Sequence, residues 1–190
     1  MIQYPNKKTI YQKPKTSVKN RGMRFEACID ESNDYYNSHH KAVIHKKPTP
    51  IQIVKVDYPS RQAAKITEAY YKTPSTTDYN GVYKGKYIDF DVKETQNKTS
   101  FPLKNIHPHQ ISHLKAVHAQ NGIAFLLIYF SAFDTIHFLP YAALDTFIKR
   151  AVHGRQSITY QELLETGYII QEGINPRIDY LKIVDMMYSK

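Results

Sequence analysis

Apolar residues recur along this chain with two different periods, which alternate from one segment to the next. Alternating or near-continuous apolar runs predict β-strands, and these runs cover 51–56, both halves of 76–93, 123–130, 135–139 and 180–184. Apolar residues three or four positions apart predict helices, and these segments cover 22–39, 60–71, 108–120, 141–152 and 159–165. Strands interleaved with helices are typical of an α/β fold, so we expect a mixed β-sheet flanked by helices.

The predicted hairpin turns at Gly85, which can adopt the positive φ that a two-residue hairpin turn requires. In that register Asp78 faces Asp91, and Thr76 faces Lys93. Residues two apart on a strand share a face, so these four side chains project to the same side of the sheet.

Two carboxylates directly opposed on neighbouring strands repel each other. A divalent cation between them turns the repulsion into attraction, and a nearby lysine completes a centre for phosphodiester cleavage. We therefore predict Asp78 and Asp91 as Mg²⁺ ligands, with Lys93 either stabilising the transition state or acting as their charge partner. Asp89 lies on the same face, but the residue two positions after it is the acid Asp91 and not a lysine. We therefore interpret Asp89 as a supporting or surface carboxylate.

Several further residues have two interpretations each. Thr76 could ligate the metal through an oxygen or cap a turn. Gln110, in the first turn of the following helix, could reach back to the metal, and Glu26 could be an accessory or an ordinary surface residue. His109 and His113 lie four apart on a helix, a spacing found in zinc sites. Because the pattern contains no third ligand, ordinary polar helix residues are the better interpretation.

The 190 residues carry a formal net charge of +9, and basic side chains concentrate in 1–24 and 46–72. Either stretch alone could be a solvated face or tail. Beside a predicted metal centre, the two together favour a nucleic acid as the partner. Candidate DNA contacts in these stretches include Arg21, Arg24, Lys46 and Lys47.

Length and composition favour one domain with a substantial core, since 42% of the 190 residues are hydrophobic. No apolar run approaches the roughly 18 residues that span a membrane. Residues 1–19 are polar and basic, unlike a signal peptide, so we expect a flexible arm ahead of a single nuclease domain over 20–190. One cysteine, Cys28, fits a reducing compartment, which favours the cytoplasm.

Several long motifs resemble the RecU family of bacterial Holliday junction resolvases. The resemblance extends over essentially the whole chain beyond the basic arm. It is carried by NRGM at 20–23, VIHKKPTPIQIV at 43–54, STTDYNG at 75–81, KETQNKTSFPLKN at 93–105 and PRIDY at 176–180.

The resemblance implies a restriction-endonuclease-like fold of the PD-(D/E)xK nuclease superfamily. It also implies Mg²⁺-dependent, symmetric cleavage of two strands of a Holliday junction in recombination and DNA repair. By the same resemblance, Thr76, Asp78, Asp91 and Gln110 are metal ligands and Lys93 stabilises the transition state. The chain departs from the family pattern at Asp91, where relatives usually carry glutamate, so metal distances could differ.

The family further implies a homodimer with a protruding stalk, which we place at about 58–74. Its basic residues Arg61, Lys65 and Lys72 suit entry into a four-way junction. Partner proteins implied by the resemblance are the strand-exchange recombinase and the branch-migration motor.

Two alternatives remain open at the level of sequence. One is a nuclease of the same fold that cuts ordinary duplex DNA. The other is a non-catalytic module that binds junctions or anneals strands. We expect Mg²⁺ as the cofactor, with Mn²⁺ able to substitute, and a product with a 5′-phosphate.

Overall fold

The structure, a computed structural model, describes residues 18–72 and 76–188, with side chains from Phe25 onward. Within these ranges the helices are α1 (Val18–Ser38), α2 (Pro108–Ala119), α3 (Tyr141–Ala151), α4 (Tyr160–Thr166) and α5 (Tyr180–Tyr188). The strands are β1 (Val43–Lys46), β2 (Ile51–Asp57), β3 (Lys65–Tyr71), β4 (Tyr79–Tyr83), β5 (Lys86–Thr95), β6 (Ser100–Pro102), β7 (Ile123–Phe130), β8 (Thr135–Pro140), β9 (Ser157–Thr159) and β10 (Tyr168–Ile170).

Six strands form one mixed sheet in the order β1-β4-β5-β7-β8-β10. β5 and β7 are parallel, and every other neighbouring pair in this sheet is antiparallel. β6 pairs with β9, and β2 pairs with β3, in two separate two-stranded sheets. The predicted α/β class, a mixed sheet flanked by helices, is confirmed.

The central strand β7 is buried on both faces, which explains its near-continuous apolar sequence. Phe125 and Leu127 pack in a core that also contains residues of α1 and α5. Leu126 and Ile128 pack in a second core with residues of α2 and α3. Helices therefore cover both sides of the sheet.

Its parallel neighbour β5 has two chemically different faces. Ile88, Phe90 and Val92 pack in the core shared with α1 and α5. Asp89 and Asp91 alternate with them, so they project toward α2 and are fully buried there. The strand alternation thus places carboxylates beneath a helix, where the candidate site lies.

The segment predicted as a helix over 60–71 is instead largely strand β3, which pairs with β2. The two strands form a ribbon in which every residue from 51 to 72 is exposed. At the base of the ribbon, the backbone N–H of Lys72 donates a hydrogen bond to the carbonyl of Pro50 at 3.0 Å. This exposed ribbon (residues 51–72) overlaps the segment of about 58–74 in which we place the stalk.

The structure changes two other predictions, one of an element's type and one of a boundary. The segment 180–184 was predicted as a strand, but it lies in helix α5, whose buried residues include Tyr180 and Ile183. Helix α1 begins at Val18, so the last residues of the predicted arm are helical, and residues 1–17 lie outside the described part. Among the described residues, no helix is both long enough and apolar enough to cross a membrane.

His137 makes stability depend on pH. Its side chain is fully buried on β8, with Thr135 Oγ1 3.1 Å from its Nε2. Burial lowers the pKa of His137 to about 4. An unfolded chain takes up this proton near pH 6.5, so the contribution of His137 to the free energy of unfolding should fall as pH drops from about 6.5 to about 4, by at most about 3 kcal/mol.

Urea unfolding between pH 4 and pH 7 measures this dependence. His137→Gln should remove this contribution, so the free energy of unfolding at pH 7 minus that at pH 4 should be smaller than in the parent protein by up to about 3 kcal/mol. His153→Gln, at an exposed position, should leave that difference unchanged. An identical pH slope in the parent protein and His137→Gln would contradict the assignment.

Candidate active site

The predicted hairpin forms in the expected register. β4 and β5 are joined by a two-residue turn in which Lys84 and Gly85 both have positive φ, 48° and 76°. These are the backbone conformations that match the twist of a tight hairpin. The last residue pair of the β4–β5 ladder joins Tyr79 to Phe90. Asp78 and Asp91 are the next residues away from the turn, so they lie just beyond this ladder.

Beyond the ladder, the acids and their neighbours meet. Asp78 Oδ2 accepts a hydrogen bond from the backbone N–H of Val92 at 3.3 Å. Lys93 Nζ lies 2.5 Å from Asp91 Oδ2, and Gln110 Nε2 donates to Asp91 Oδ1 at 2.7 Å. Three elements, the β4–β5 hairpin, the loop before it and α2, therefore contribute to one cluster.

The environment of Asp91 disfavours the charged form of its carboxyl group. Burial is the largest effect on its carboxyl group. Together with the charge of Asp78, it raises the pKa of Asp91 to about 7, even though Lys93 acts in the opposite direction. A cation shared by the two carboxylates would favour their ionised forms, so this pair fits a metal ion.

A cleft of about 570 Å³ opens beside the cluster. Its walls include the predicted residues Glu26, Thr76, Asp78, Lys93, His109 and Gln110. Asp91 is fully buried next to Lys93 and Gln110. The structure therefore brings the residues predicted for metal binding and chemistry to one place.

The donor set is that of a hard cation. In the described ranges, no three His, Cys, Asp or Glu side chains form a metal-binding group. A cation here would depend on the carboxylates of Asp78 and Asp91 and on neutral oxygens such as those of Thr76. Mg²⁺ accepts this arrangement because it prefers oxygen and retains several waters.

Gln110 has a defined orientation in this cluster. Its Oε1 accepts the backbone N–H of His107 at 3.0 Å in a capping box at the start of α2. Its Nε2 therefore faces Asp91. As placed, Gln110 orients Asp91, and ligation through its Oε1 would require the amide to turn over and release His107.

Glu26 reaches the cleft from helix α1. Its Oε2 lies 2.7 Å from Lys46 Nζ, and Asp30 Oδ2 lies 3.5 Å from the same ammonium. Sequence alone could not place Glu26 near the hairpin, because α1 and β5 are far apart in the chain. Its position favours the accessory interpretation, while its charge is paired with Lys46.

Asp89 is not a surface carboxylate, so that interpretation is wrong. Its side chain is fully buried. Its Oδ2 lies 2.7 Å from Lys47 Nζ, 2.9 Å from Tyr87 Oη and 3.0 Å from His113 Nε2, and its Oδ1 accepts the hydroxyl of Thr77. We call these five residues the Asp89 cluster. Sequence reasoning gave three of them, Thr77, Tyr87 and His113, no role in this site.

The two histidines with zinc-like spacing have different partners. His113 contacts Asp89, whereas the ring of His109 stacks on His107 with ring centroids 5.4 Å apart. His113 lies three residues after Gln110, so both face β5 from the same side of α2. That spacing, together with an acid two residues before Asp91, was the available sequence signal for the cluster.

The predicted DNA contacts lie in three parts of the structure. Arg61, Lys65 and Lys72 lie on the exposed ribbon. Arg21 and Arg24 lie on helix α1, and their side chains are outside the described part. The other two candidates lie near the site: Lys47 lines the cleft, and Lys46 pairs with Glu26, which also lines it.

Comparisons with known proteins found a family, relatives and a solved structure. The solved Hjc Holliday junction resolvase of Archaeoglobus fulgidus has a TM-score of 0.42 and 10% identity, over 75% of this chain and 92% of that chain. Proteins named Holliday junction resolvase RecU from Bacillus cereus strain AH820 and Bacillus thuringiensis strain Al Hakam are each 54% identical, over 98% of both chains. The family described as recombination protein U matches residues 20–186. The chain belongs to the RecU family.

Proposed function

We propose that this protein is a Holliday junction resolvase, an endonuclease that cuts two strands of a four-way DNA junction symmetrically in recombination and repair. The observation that carries the proposal is the convergence of Asp78, Asp91 and Lys93 in one cleft. Membership of the RecU family, whose cited relatives are named Holliday junction resolvases, supports the choice of substrate.

In this proposal Asp78 and Asp91 hold a Mg²⁺ ion, with Thr76 as a further ligand and Glu26 as an accessory. Gln110 is a further ligand once its amide has turned over to present Oε1 to the ion. When bound, the ion would acidify water and offset negative charge on the scissile phosphate. Mn²⁺, which also accepts carboxylate and water oxygens, should substitute.

Lys93 is the proposed transition-state stabiliser. Its ammonium lies 2.5 Å from Asp91, and its side chain is 16% exposed, so the carboxylate can hold one side of the ammonium while another side reaches a bound phosphate. A donor fixed before the reaction stabilises charge that develops on phosphoryl oxygens without reorganising first. In-line attack by water would leave a 5′-phosphate and a 3′-hydroxyl.

Symmetric cleavage requires two sites, and we propose a homodimer because a twofold axis repeats the same cleft on both sides of a junction. The ribbon, with Arg61, Lys65 and Lys72, is proposed to enter the junction centre as a stalk. The strand-exchange recombinase and the branch-migration motor are the proposed protein partners. The lone Cys28 and the DNA substrate support action in the cytoplasm.

Cleavage of a mobile four-way junction in Mg²⁺, read at nucleotide resolution, tests the proposal. We expect paired nicks at symmetric positions, no cleavage in EDTA, and products that a DNA ligase reseals. A linear duplex of the same sequence serves as the control and should be cut little or not at all.

Two results would favour the alternatives. Equal cleavage of the junction and the linear duplex would point to a duplex-cutting nuclease. Tight junction binding without nicks in either Mg²⁺ or Mn²⁺ would point to a non-catalytic binding or annealing module.

A further inference from the structure

The Asp89 cluster has no assigned part in the chemistry described above. It consists of a fully buried carboxylate with four hydrogen-bonding partners. A second contact ties two of these partners together, since Lys47 Nζ also donates to Thr77 Oγ1 at 2.9 Å. Its polar groups are thus extensively paired, as a buried charge requires.

Members of the cluster lie close in sequence to each proposed metal ligand. Thr77 lies between Thr76 and Asp78, Asp89 lies two residues before Asp91, and His113 lies one helical turn after Gln110. Asp89 therefore joins the three segments that carry the ligands, although it is not a ligand itself.

The segment 76–78 depends on these contacts because the β4–β5 ladder ends at Tyr79 and Phe90. Beyond that point two backbone hydrogen bonds hold Asp78. The N–H of Val92 donates to its carboxylate, and the N–H of Lys47 donates to its backbone carbonyl at 2.8 Å. The hydroxyl of Thr77 adds a link to the carboxylate of Asp89 in β5. Without that link, the separation of Asp78 from Asp91 would be less constrained.

We propose that Asp89 is a positioning residue that holds Thr77, and through it Asp78 and Thr76, at the separation from Asp91 that a divalent cation requires. This inference rests on the proposed metal centre and deepens it. Residues that orient metal ligands without touching the metal typically change metal affinity by about 10- to 100-fold when replaced.

Thr77→Val tests the link most cleanly, because it removes the hydroxyl while keeping side-chain shape and net charge. Mn²⁺ binding is measured by calorimetry on the full chain without DNA, with Asp91→Asn as the reference that lacks the metal site. We expect about tenfold weaker Mn²⁺ binding in Thr77→Val. The Mg²⁺ concentration for half-maximal junction cleavage should rise by a similar factor, with a smaller change in rate at saturating metal, and Thr77→Ser should restore both.

Ser32→Ala is the matched control, since it also removes a buried hydroxyl with two hydrogen bonds, to the carbonyl of Cys28 and from the N–H of Ile178. It should lower Tm while leaving Mn²⁺ affinity unchanged. His113→Leu, at a partly exposed position, provides a second variant should Thr77→Val not fold, and should also weaken Mn²⁺ binding.

Unchanged Mn²⁺ affinity in Thr77→Val and His113→Leu, with only a lower Tm, would overturn the positioning role and leave the metal centre intact. Failure of the proposed function has a different signature. If the parent protein bound no Mn²⁺, or if Asp91→Asn bound it equally well, the metal centre and the positioning role would both be overturned.

Discussion

Asp91→Asn should reduce the single-turnover rate of junction cleavage in Mg²⁺ by about 10³-fold or more. The substitution keeps the shape of the side chain but removes one of two carboxylate charges available to the cation. It also removes the charge that holds the ammonium of Lys93 at 2.5 Å. Loss of electrostatic stabilisation at a reacting phosphate typically costs several kcal/mol.

This variant should lose rate without losing stability. The folded-state pKa of Asp91, about 7, lies above the ordinary value of 3.8, so ionisation of Asp91 opposes folding as pH rises through that window. In metal-free buffer at pH 8, the free energy of unfolding of Asp91→Asn should therefore be unchanged or higher. Junction affinity in EDTA should also be unchanged or higher, because a negative charge near the DNA is removed.

Asp145→Asn is the matched control for the carboxylate. Asp145 lies on α3 and pairs with Lys149 at 2.5 Å, and it does not line the cleft. Its replacement should leave the cleavage rate within a factor of about two, as expected for a partly exposed ion pair away from the site. Cleavage by Asp91→Asn at the parental rate would contradict the assignment of Asp91 to the reaction.

Excision of residues 51–71, with Pro50 joined to Lys72 through Gly-Gly, should leave the fold intact and weaken junction binding about 100-fold. The fold should survive because the whole ribbon is exposed and its ends already meet through the Lys72–Pro50 hydrogen bond, 3.0 Å long. Binding should weaken because the excised piece carries cations and exposed aromatic rings that suit phosphates and unpaired bases. These residues are Lys55, Tyr58, Arg61, Lys65, Tyr70 and Tyr71.

Junction affinity is measured by titration at two salt concentrations, with Mn²⁺ binding as the check that the cleft is preserved. A triple glutamine variant of Lys55, Arg61 and Lys65 should lose part of the affinity and show a shallower salt dependence. The matched triple variant replaces exposed lysines outside the ribbon and the cleft, namely Lys104, Lys115 and Lys182. If the excised protein bound junctions as tightly as the parent, the ribbon would have no role in DNA recognition.

The elements that the sequence predicted correctly are those marked by local signals such as a tight turn or a helix cap. The turn at Gly85 fixes which residues of β4 and β5 face each other, because a two-residue turn permits one register. The run that forms β7 could only be a doubly buried strand in this context. The capping box between Thr159 and Glu162 marks the start of α4, and the structure confirms both of its hydrogen bonds.

The two wrong predictions of secondary structure involve short segments with ambiguous periodicity. Ala63, Ile66 and Ala69 fit a helical stripe, yet β-branched and aromatic neighbours and pairing with β2 make the segment from Lys65 a strand. In α5, apolar residues at 180, 181, 183 and 184 fit either state over five positions. Packing against the core with α1 selects the helix.

The amino-acid sequence by itself determined that Asp78 and Asp91 would meet, since a tight turn and the period of a strand are local properties of the backbone. It could not determine what surrounds them. Glu26 and Gln110 reach the site from α1 and α2, and Lys47 and His113 reach Asp89 from the loop after β1 and from α2. Only the packing of these elements on the sheet decides which side chains touch. Contacts between distant segments follow from burial of apolar surface over the whole domain, so no local pattern encodes them.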